Sequence, residues 1–133
     1  MAIYTSYYGS KFIDPKNQYL VKISNSAPAA IQINDDLKEA IPSWNNLVRP
    51  YKAGQIGDDE YTQGYLTQLN NKESNLLRSL EQIRQNAGNK DLILLCYEKP
   101  GAFCHRHILA RWLSTRLNEE VTELTTTTES TLF

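Results

Sequence analysis

The hydrophobic pattern of the chain alternates between short strand-like runs and longer helix-like runs. Residues 2–7 and 19–24 are rich in β-branched and aromatic residues, which predicts two strands. Residues 92–95 form a continuous apolar run, and residues 120–124 alternate between polar and apolar positions, so each predicts a further strand. Because an uninterrupted apolar run is typical of a strand covered on both faces, residues 92–95 are predicted to lie inside a parallel sheet.

Amphipathic runs between and after these strands predict helices. Apolar residues recur at helical spacing in three segments, residues 61–69, 76–83 and 108–117. Gly88 lies just beyond the second segment and is predicted to end its helix in a left-handed conformation. Residues 44–51 show a similar spacing that Pro50 interrupts, so this segment is predicted to be short and irregular.

The order of these elements predicts the α/β class. We expect a small, mostly parallel sheet with helices on both faces, in a single domain that spans residues 1–124. The Thr-rich segment 125–133 is predicted to be a disordered tail. Ligands of open parallel sheets bind beyond the carboxyl ends of the strands. The candidate site is therefore expected at residues 5–10, 24–28 and 96–106.

Composition and charge narrow the classes of function. The formal net charge of -1 comes from 14 basic and 15 acidic residues without a basic run, so a surface for nucleic acid is not expected. No apolar run approaches the ~20 residues needed to cross a bilayer, and the N-terminus lacks a secretion signal. We therefore expect a cytoplasmic protein without membrane contact. In that reducing compartment the two cysteines are expected to be free thiols.

Reactive side chains gather directly after the apolar strand. Cys96 and Glu98 follow this strand, and Cys104, His105 and Arg106 open the last predicted helix. A helix start offers unpaired backbone N–H groups at the positive end of the helix dipole, and a guanidinium adds a planar set of donors. This corner therefore predicts an anion site, with Arg106 as the principal side-chain donor.

The same residues are also candidates for catalysis. A helix N-terminus can lower the pKa of a thiol, so Cys104 is a candidate catalytic residue together with Glu98. Adjacent helical side chains do not face each other, so His105 is expected to be poorly placed as a base for Cys104. Cys96 is a candidate ligand contact, although its position is more typical of a buried strand residue. An internal ion pair between Glu98 and Arg106 is the alternative to ligand contact.

No metal or other cofactor is predicted. The spacing Cys-x7-Cys-His does not match the paired short spacings of structural zinc sites.

Polar and aromatic residues near the predicted strand ends complete the candidate ligand contacts. They are Ser6, Tyr7, Tyr8, Ser24 and Tyr51. An aromatic wall beside an anion site suits a nucleotide, since it offers a π-face to the base and donors to the phosphate.

Three functions stay open. The first is the binding or sequestration of a small phosphate-bearing ligand, with a nucleotide or nucleotide derivative favoured. The second is an enzyme that acts on a nucleotide or nucleic-acid-derived substrate through Cys104 or Glu98. The third is a protein-interaction module or inhibitor whose tyrosines form the interface.

A family resemblance rests on the same motif. The Cys-x-Glu element at residues 96–98 and the Cys-His-Arg element at residues 104–106, placed at a strand–helix corner, resemble the domain of unknown function 488 (DUF488, or YeaO-like) family. Residues 3–8 resemble the family's opening strand, and parts of residues 51–66 resemble its middle section. The resemblance implies a compact cytosolic α/β fold and no established reaction.

Overall fold

A five-stranded parallel sheet forms the centre of the protein. The computed structural model describes residues 1–98 and 102–125. In these residues the strands are β1 (Ile3–Tyr7), β2 (Gln18–Lys22), β3 (Asp35–Asp36), β4 (Asp91–Cys96) and β5 (Val121–Glu123). They lie in the order β3-β2-β4-β1-β5, and every neighbouring pair is parallel. The predicted α/β class and parallel sheet are therefore confirmed.

Four α-helices follow the predicted segments. They are α1 (Arg49–Lys52), α2 (Asp58–Asn71), α3 (Glu73–Ala87) and α4 (His105–Leu117). Two short helical turns precede α1, a 3-10 helix at Lys38–Ala40 and a π-helix at Trp44–Val48. Gly88 follows α3 with a φ of 65° and a ψ of -119°, so the expected positive φ is present but the residue lies outside the left-handed helical region. Pro50 lies in the first turn of α1, where its missing N–H costs no hydrogen bond.

The central strand β4 is covered on both faces, as predicted. Leu92 and Leu94 belong to a large hydrophobic cluster on one face, and Ile93 and Leu95 belong to a smaller cluster on the other. All four leucine and isoleucine side chains are fully buried. Their burial on two opposite faces explains why the sequence of this strand is apolar without alternation.

The helices, however, pack on a single face of the sheet, which corrects the expectation of helices on both faces. Among the described residues, all four α-helices contribute side chains to the larger cluster and none contributes to the smaller one. The second face is covered instead by loop residues, namely Phe12, Ile13, Ala27, Ile31 and Ile33.

The direction of the strand connections explains this asymmetry. From β1 to β2 to β3 the chain moves towards one edge of the sheet, and from β3 to β4 to β5 it returns towards the other. Crossovers between parallel strands share one hand, so connections that run in opposite directions lie on opposite faces. The two outward connections are short and contain no helical period, which leaves this face to loops.

Strands β2 and β4 are neighbours whose chains leave the sheet towards opposite faces. Such a divergence opens a crevice at the carboxyl ends of the strands, where open α/β sheets bind ligands.

Some expectations concern residues that the structure does not describe. The predicted tail falls there except for Thr125, as do residues 99–101 of the loop that precedes α4. In the remainder of the chain, no helix has the length and apolar character that a membrane span requires.

Candidate functional site

A cavity of about 410 Å³ opens at the carboxyl ends of β2 and β4. Its lining comes from the segments that follow these two strands, from the start of α4, and from the helical segments between residues 42 and 61. Two of the three predicted locations, residues 24–28 and 96–106, thus contribute to the cavity. The third, residues 5–10, does not line it.

Five tyrosine, tryptophan and phenylalanine rings contribute to the cavity wall. Tyr51, Tyr61 and Phe103 pack against one another, with ring centroids separated by 5.2 to 5.3 Å. The Tyr51 hydroxyl donates to Asp58 Oδ1 at 2.6 Å, which ties α1 to the start of α2. At the mouth, the Trp44 and Tyr97 side chains are 47% and 45% exposed. The site therefore has one rigid aromatic wall and two rings whose faces remain open to a ligand.

A chain of hydroxyl groups supports the β2 side of the cavity. The Ser24 hydroxyl donates to the Ser26 carbonyl oxygen at 2.6 Å and accepts from the Tyr8 hydroxyl at 2.7 Å. Burial raises the pKa of Tyr8 to about 12. Ser24 lines the cavity, whereas Tyr8 lies behind it and packs edge-on against Tyr97.

Cys104 and His105 are in contact, which corrects the expectation that His105 is badly placed. Cys104 is the N-cap of α4 and has an extended backbone, with φ -151° and ψ 139°. The rule for adjacent helical side chains therefore does not apply to it. The His105 Nδ1 atom lies 3.8 Å from Cys104 Sγ.

The hydrogen bond on the other side of the His105 ring sets its tautomer. His105 Nε2 lies 2.5 Å from the Ile23 carbonyl oxygen, which can only accept, so Nε2 carries the hydrogen. In the neutral ring Nδ1 is then an acceptor that faces the Cys104 thiol.

The two cysteines are buried free thiols that share a hydrogen bond. The hydrogen bond from Cys104 lowers the pKa of Cys96, and the Arg106 guanidinium, with Nη1 3.1 Å from Cys96 Sγ, lowers it further. The same hydrogen bond and burial raise the pKa of Cys104. The helix start alone therefore does not set the pKa of this thiol, although the Arg106 backbone N–H does donate to Cys104 Sγ at 3.5 Å.

Arg106 is fully buried and does not line the cavity. Its Nε and Nη2 atoms donate to the Glu123 carboxylate at 3.0 to 3.2 Å, and Nη1 donates to Cys96 Sγ and to the Glu98 carbonyl oxygen. The alternative expectation, an ion pair with the Glu98 carboxylate, is corrected as well, because the acidic partner is Glu123 of β5. With these groups occupying its donors, the geometry gives Arg106 a structural position behind the cavity rather than contact with a ligand.

The sequence pattern did contain a signal for Glu123. In the alternating strand β5, Glu123 shares a side with the buried residue Val121, so its carboxylate points inwards. An inward acid requires a partner, and it receives hydrogen bonds from Arg106 and from the Thr5 hydroxyl.

The structure brings together only part of the predicted site. Among the predicted residues, those that line the cavity are Cys104, Glu98, His105, Ser24 and Tyr51, and those that do not are Arg106, Cys96, Ser6, Tyr7 and Tyr8. Ser6 is buried within β1, and its hydroxyl has no hydrogen-bond partner in the described part of the chain. Tyr7 lies under Arg106, with its ring centroid 5.8 Å from Cζ.

Several lining residues were not predicted. The most important are Trp44, Lys52, Tyr97 and Phe103. Tyr61 was considered for the aromatic wall, with a buried position on its helix favoured, and it is both buried and part of the wall. An exposed tryptophan in a short irregular segment is the one signal that could have indicated Trp44. The position of Lys52 depends on how α1 packs, which the sequence does not reveal.

The parallel sheet, with a cavity at the carboxyl ends of β2 and β4, defines a small α/β domain. Residues 12–117 match the family model DUF488-N3a, described as the active DUF488-N3 subclade. The chain belongs to the DUF488 family. The match includes both cysteines and the cavity lining but starts after β1. Neither the curated proteins nor the solved structures gave a match.

Proposed function

We propose that the cavity binds a small phosphate-bearing ligand, with a nucleotide or nucleotide derivative favoured. The observation that carries this proposal is the combination of open aromatic rings with the N-terminus of α4 in one cavity at the switch point of the sheet. Its volume of about 410 Å³ lies in the range typical of small-molecule sites.

The base would stack on the rings at the mouth. Trp44 and Tyr97 are about half exposed, so their faces can accept a planar ring without displacing core packing. The mutual packing of Tyr51, Tyr61 and Phe103 keeps the opposite wall rigid, which lowers the entropy cost of binding.

The phosphate would lie towards α4. Cys104 and His105 line the cavity at the start of this 13-residue helix, where the dipole favours an anion. Lys52 is exposed at the rim and is the one lysine or arginine among the described lining residues. Arg106 contributes indirectly, since its bond to the Glu98 carbonyl oxygen fixes the shape of the corner.

Calorimetry with the four ribonucleoside monophosphates tests this proposal. Replacing Trp44 by alanine should weaken binding by about ten- to hundredfold, since base stacking on an aromatic ring is worth about 1–3 kcal/mol. Because Trp44 is exposed and the second tryptophan, Trp112, is buried, ligand binding should also quench mainly the Trp44 fluorescence.

A pair of lysine variants provides the matched control. Lys52→Ala should weaken the binding of the monophosphates, whereas Lys90→Ala, an equal loss of charge at the opposite end of β4, should not. Binding that is absent from the parent protein, or unchanged in both the Trp44 and Lys52 variants, would overturn the proposal.

An enzyme is the second candidate, favoured by the contact between Cys104 and His105. Thiol catalysis uses a nucleophile, a base within reach of it and a third group that orients the base. Here these groups are Cys104, His105 and the Ile23 carbonyl. Because the pKa of the Cys104 thiol is raised, its proton would pass to His105 Nδ1 as the S–H bond breaks and the sulfur displaces a leaving group from the substrate, which departs with the electron pair of its broken bond.

Alkylation tests this second candidate. In native protein treated with a chelator, iodoacetamide should modify Cys104 before Cys96, since only Cys104 lines the cavity. His105→Ala should slow the Cys104 reaction, and His107→Ala should not, because His107 does not line the cavity. Peptide mass spectrometry gives both rates in one sample. If Cys104 reacts only after unfolding, it is a packing residue and thiol catalysis is excluded.

The third function, a protein-interaction module, has less support. The exposed large hydrophobic side chains in the described residues are Met1, Trp44 and Tyr97, and the last two belong to the cavity. Most of the other tyrosines named above pack against neighbouring residues or form hydrogen bonds within the fold.

A further inference from the structure

A cluster of sulfur and carboxylate groups lies at the floor of the cavity. The Cys96 Sγ atom, a Glu98 carboxylate oxygen and the Cys104 Sγ atom all lie within 4.8 Å of one another. Cys96 is the last residue of β4, and Cys104 is the N-cap of α4. The fold therefore brings together the end of β4 and the start of α4, which are separated in the sequence. The geometry points to a site for a divalent transition metal, with zinc as the favoured ion, bound by Cys96, Glu98 and Cys104.

The three ligand types match zinc. Zinc binds cysteine sulfur and carboxylate oxygen, and sites that interact with substrates hold the ion by three protein ligands and leave a fourth position open. In tetrahedral sites with bonds of about 2.0–2.3 Å, ligand atoms lie roughly 3.3–3.8 Å apart. Binding would thus require only a modest closure of the cluster.

The Glu98 side chain can supply this movement. It is half-buried, and no hydrogen bond or ion pair to its carboxylate is found among residues 1–98 and 102–125. A carboxylate directed at two sulfur atoms without a cationic partner is costly unless something neutralises it. A bound cation would provide that compensation.

Groups around the cluster are arranged to support metal ligands. Arg106 donates to Cys96 Sγ through Nη1 at 3.1 Å and to Cys104 Sγ through its backbone N–H at 3.5 Å. Each sulfur therefore has an N–H donor that would stabilise it as a thiolate. Outer hydrogen bonds of this kind orient metal ligands and tune their basicity. The positive charge of Arg106 also offsets part of the excess charge, since three anionic ligands exceed one divalent ion by a single negative charge.

The open coordination position would face the cavity. Glu98 and Cys104 line the cavity, whereas Cys96 lies behind them. An ion held by the three groups could therefore bind a water molecule or an anionic group of a ligand. The expectation that no metal binds rested on the sequence spacing of the cysteines and the histidine. We revise it because Cys96, Glu98 and Cys104 lie close together in the folded protein. This inference goes beyond the proposed function, and an ion on Cys104 Sγ would prevent that sulfur from acting as a nucleophile.

Cobalt(II), a spectroscopic substitute for zinc, tests the site. Titration of the chelator-treated protein should give thiolate-to-cobalt charge-transfer absorption that saturates at one ion per chain, and zinc should abolish it. Cys96→Ser and Cys104→Ser should each lose part or all of this absorption. Glu98→Gln should weaken cobalt affinity at least tenfold without removing a sulfur, and Glu120→Gln, an exposed acid outside the cluster, should have no effect.

Circular dichroism of each variant establishes that it is folded. The absence of charge-transfer absorption in the parent protein, absorption of undiminished intensity in either cysteine variant, or an unchanged affinity in Glu98→Gln would overturn the metal site. Nucleotide calorimetry on the chelator-treated protein tests the proposed function separately. Zinc should in addition protect Cys104 from iodoacetamide, and unprotected alkylation at saturating zinc would contradict binding at this sulfur.

Discussion

Replacing Arg106 by alanine should lower the free energy of unfolding by about 3 kcal/mol. The guanidinium is fully buried and donates to Glu123, to Cys96 and to the Glu98 carbonyl oxygen. Its removal leaves the Glu123 carboxylate without its cation and the other two acceptors without their donor. The Glu123 side chain is 24% exposed, so water can reach it, and the loss falls at the lower end of the range for broken buried pairs. Denaturant unfolding measures the change.

Companion variants separate charge from packing. Arg106→Lys should recover little stability, because one ammonium group cannot reproduce the planar set of donors that serves three residues. Arg78→Ala, on the exposed side of α3, should change stability by less than about 0.5 kcal/mol. If Arg106→Ala unfolds like the parent but loses affinity for nucleotides, Arg106 is a ligand contact after all, as the sequence had suggested.

The local elements could be predicted from the sequence because periodicity reports which side chains are buried within a few residues. Leu92 and its apolar neighbours indicated a strand covered on both faces, and Gly88 indicated the end of α3. These features depend on backbone geometry and burial that recur in any fold with the same local pattern.

The predictions that were wrong concern features that depend on contacts between residues far apart in the sequence. The face on which the helices pack is set by the direction of the crossovers, and no local pattern encodes that direction. The partner of Arg106 is Glu123, which reaches it only because β5 pairs with β1 at the edge of the sheet. The contact between Cys104 and His105 required knowing that Cys104 caps the helix instead of belonging to it.

The local sequence also does not indicate which of the two cysteine thiols is the more acidic. A helix start alone favours a thiolate at Cys104. The neighbouring strand, however, places Cys96 and the Arg106 side chain together, and this places the more acidic thiol at Cys96. Long-range packing thus decides which of the two sulfurs is the more acidic.

Alkaline pH should unfold the protein, with most of the stability lost between about pH 10 and 12. Burial raises the pKa of Tyr8 from 10.0 to about 12, and it also raises the pKa values of Tyr61 and Tyr65. In the unfolded chain these phenols lose their protons near pH 10, whereas in the folded protein they keep them. The unfolded state therefore binds fewer protons above pH 10, and the free energy of unfolding falls as the pH rises through this window.

Each group that keeps its proton only in the folded protein contributes about 1.4 kcal/mol per pH unit above 10, and these groups are the three buried tyrosines and the Cys104 thiol, whose pKa is also raised. Together they remove about 6 kcal/mol per pH unit, which is comparable to the whole stability of a typical domain, about 5–15 kcal/mol. Denaturant unfolding followed by circular dichroism at several pH values should give a slope that corresponds to about four protons. Tyr8→Phe should reduce this slope by about one proton, whatever its effect on stability at neutral pH. A slope that is unchanged in Tyr8→Phe, or phenolate absorbance from all eight tyrosines that appears before the helical signal is lost, would show that burial does not protect these rings.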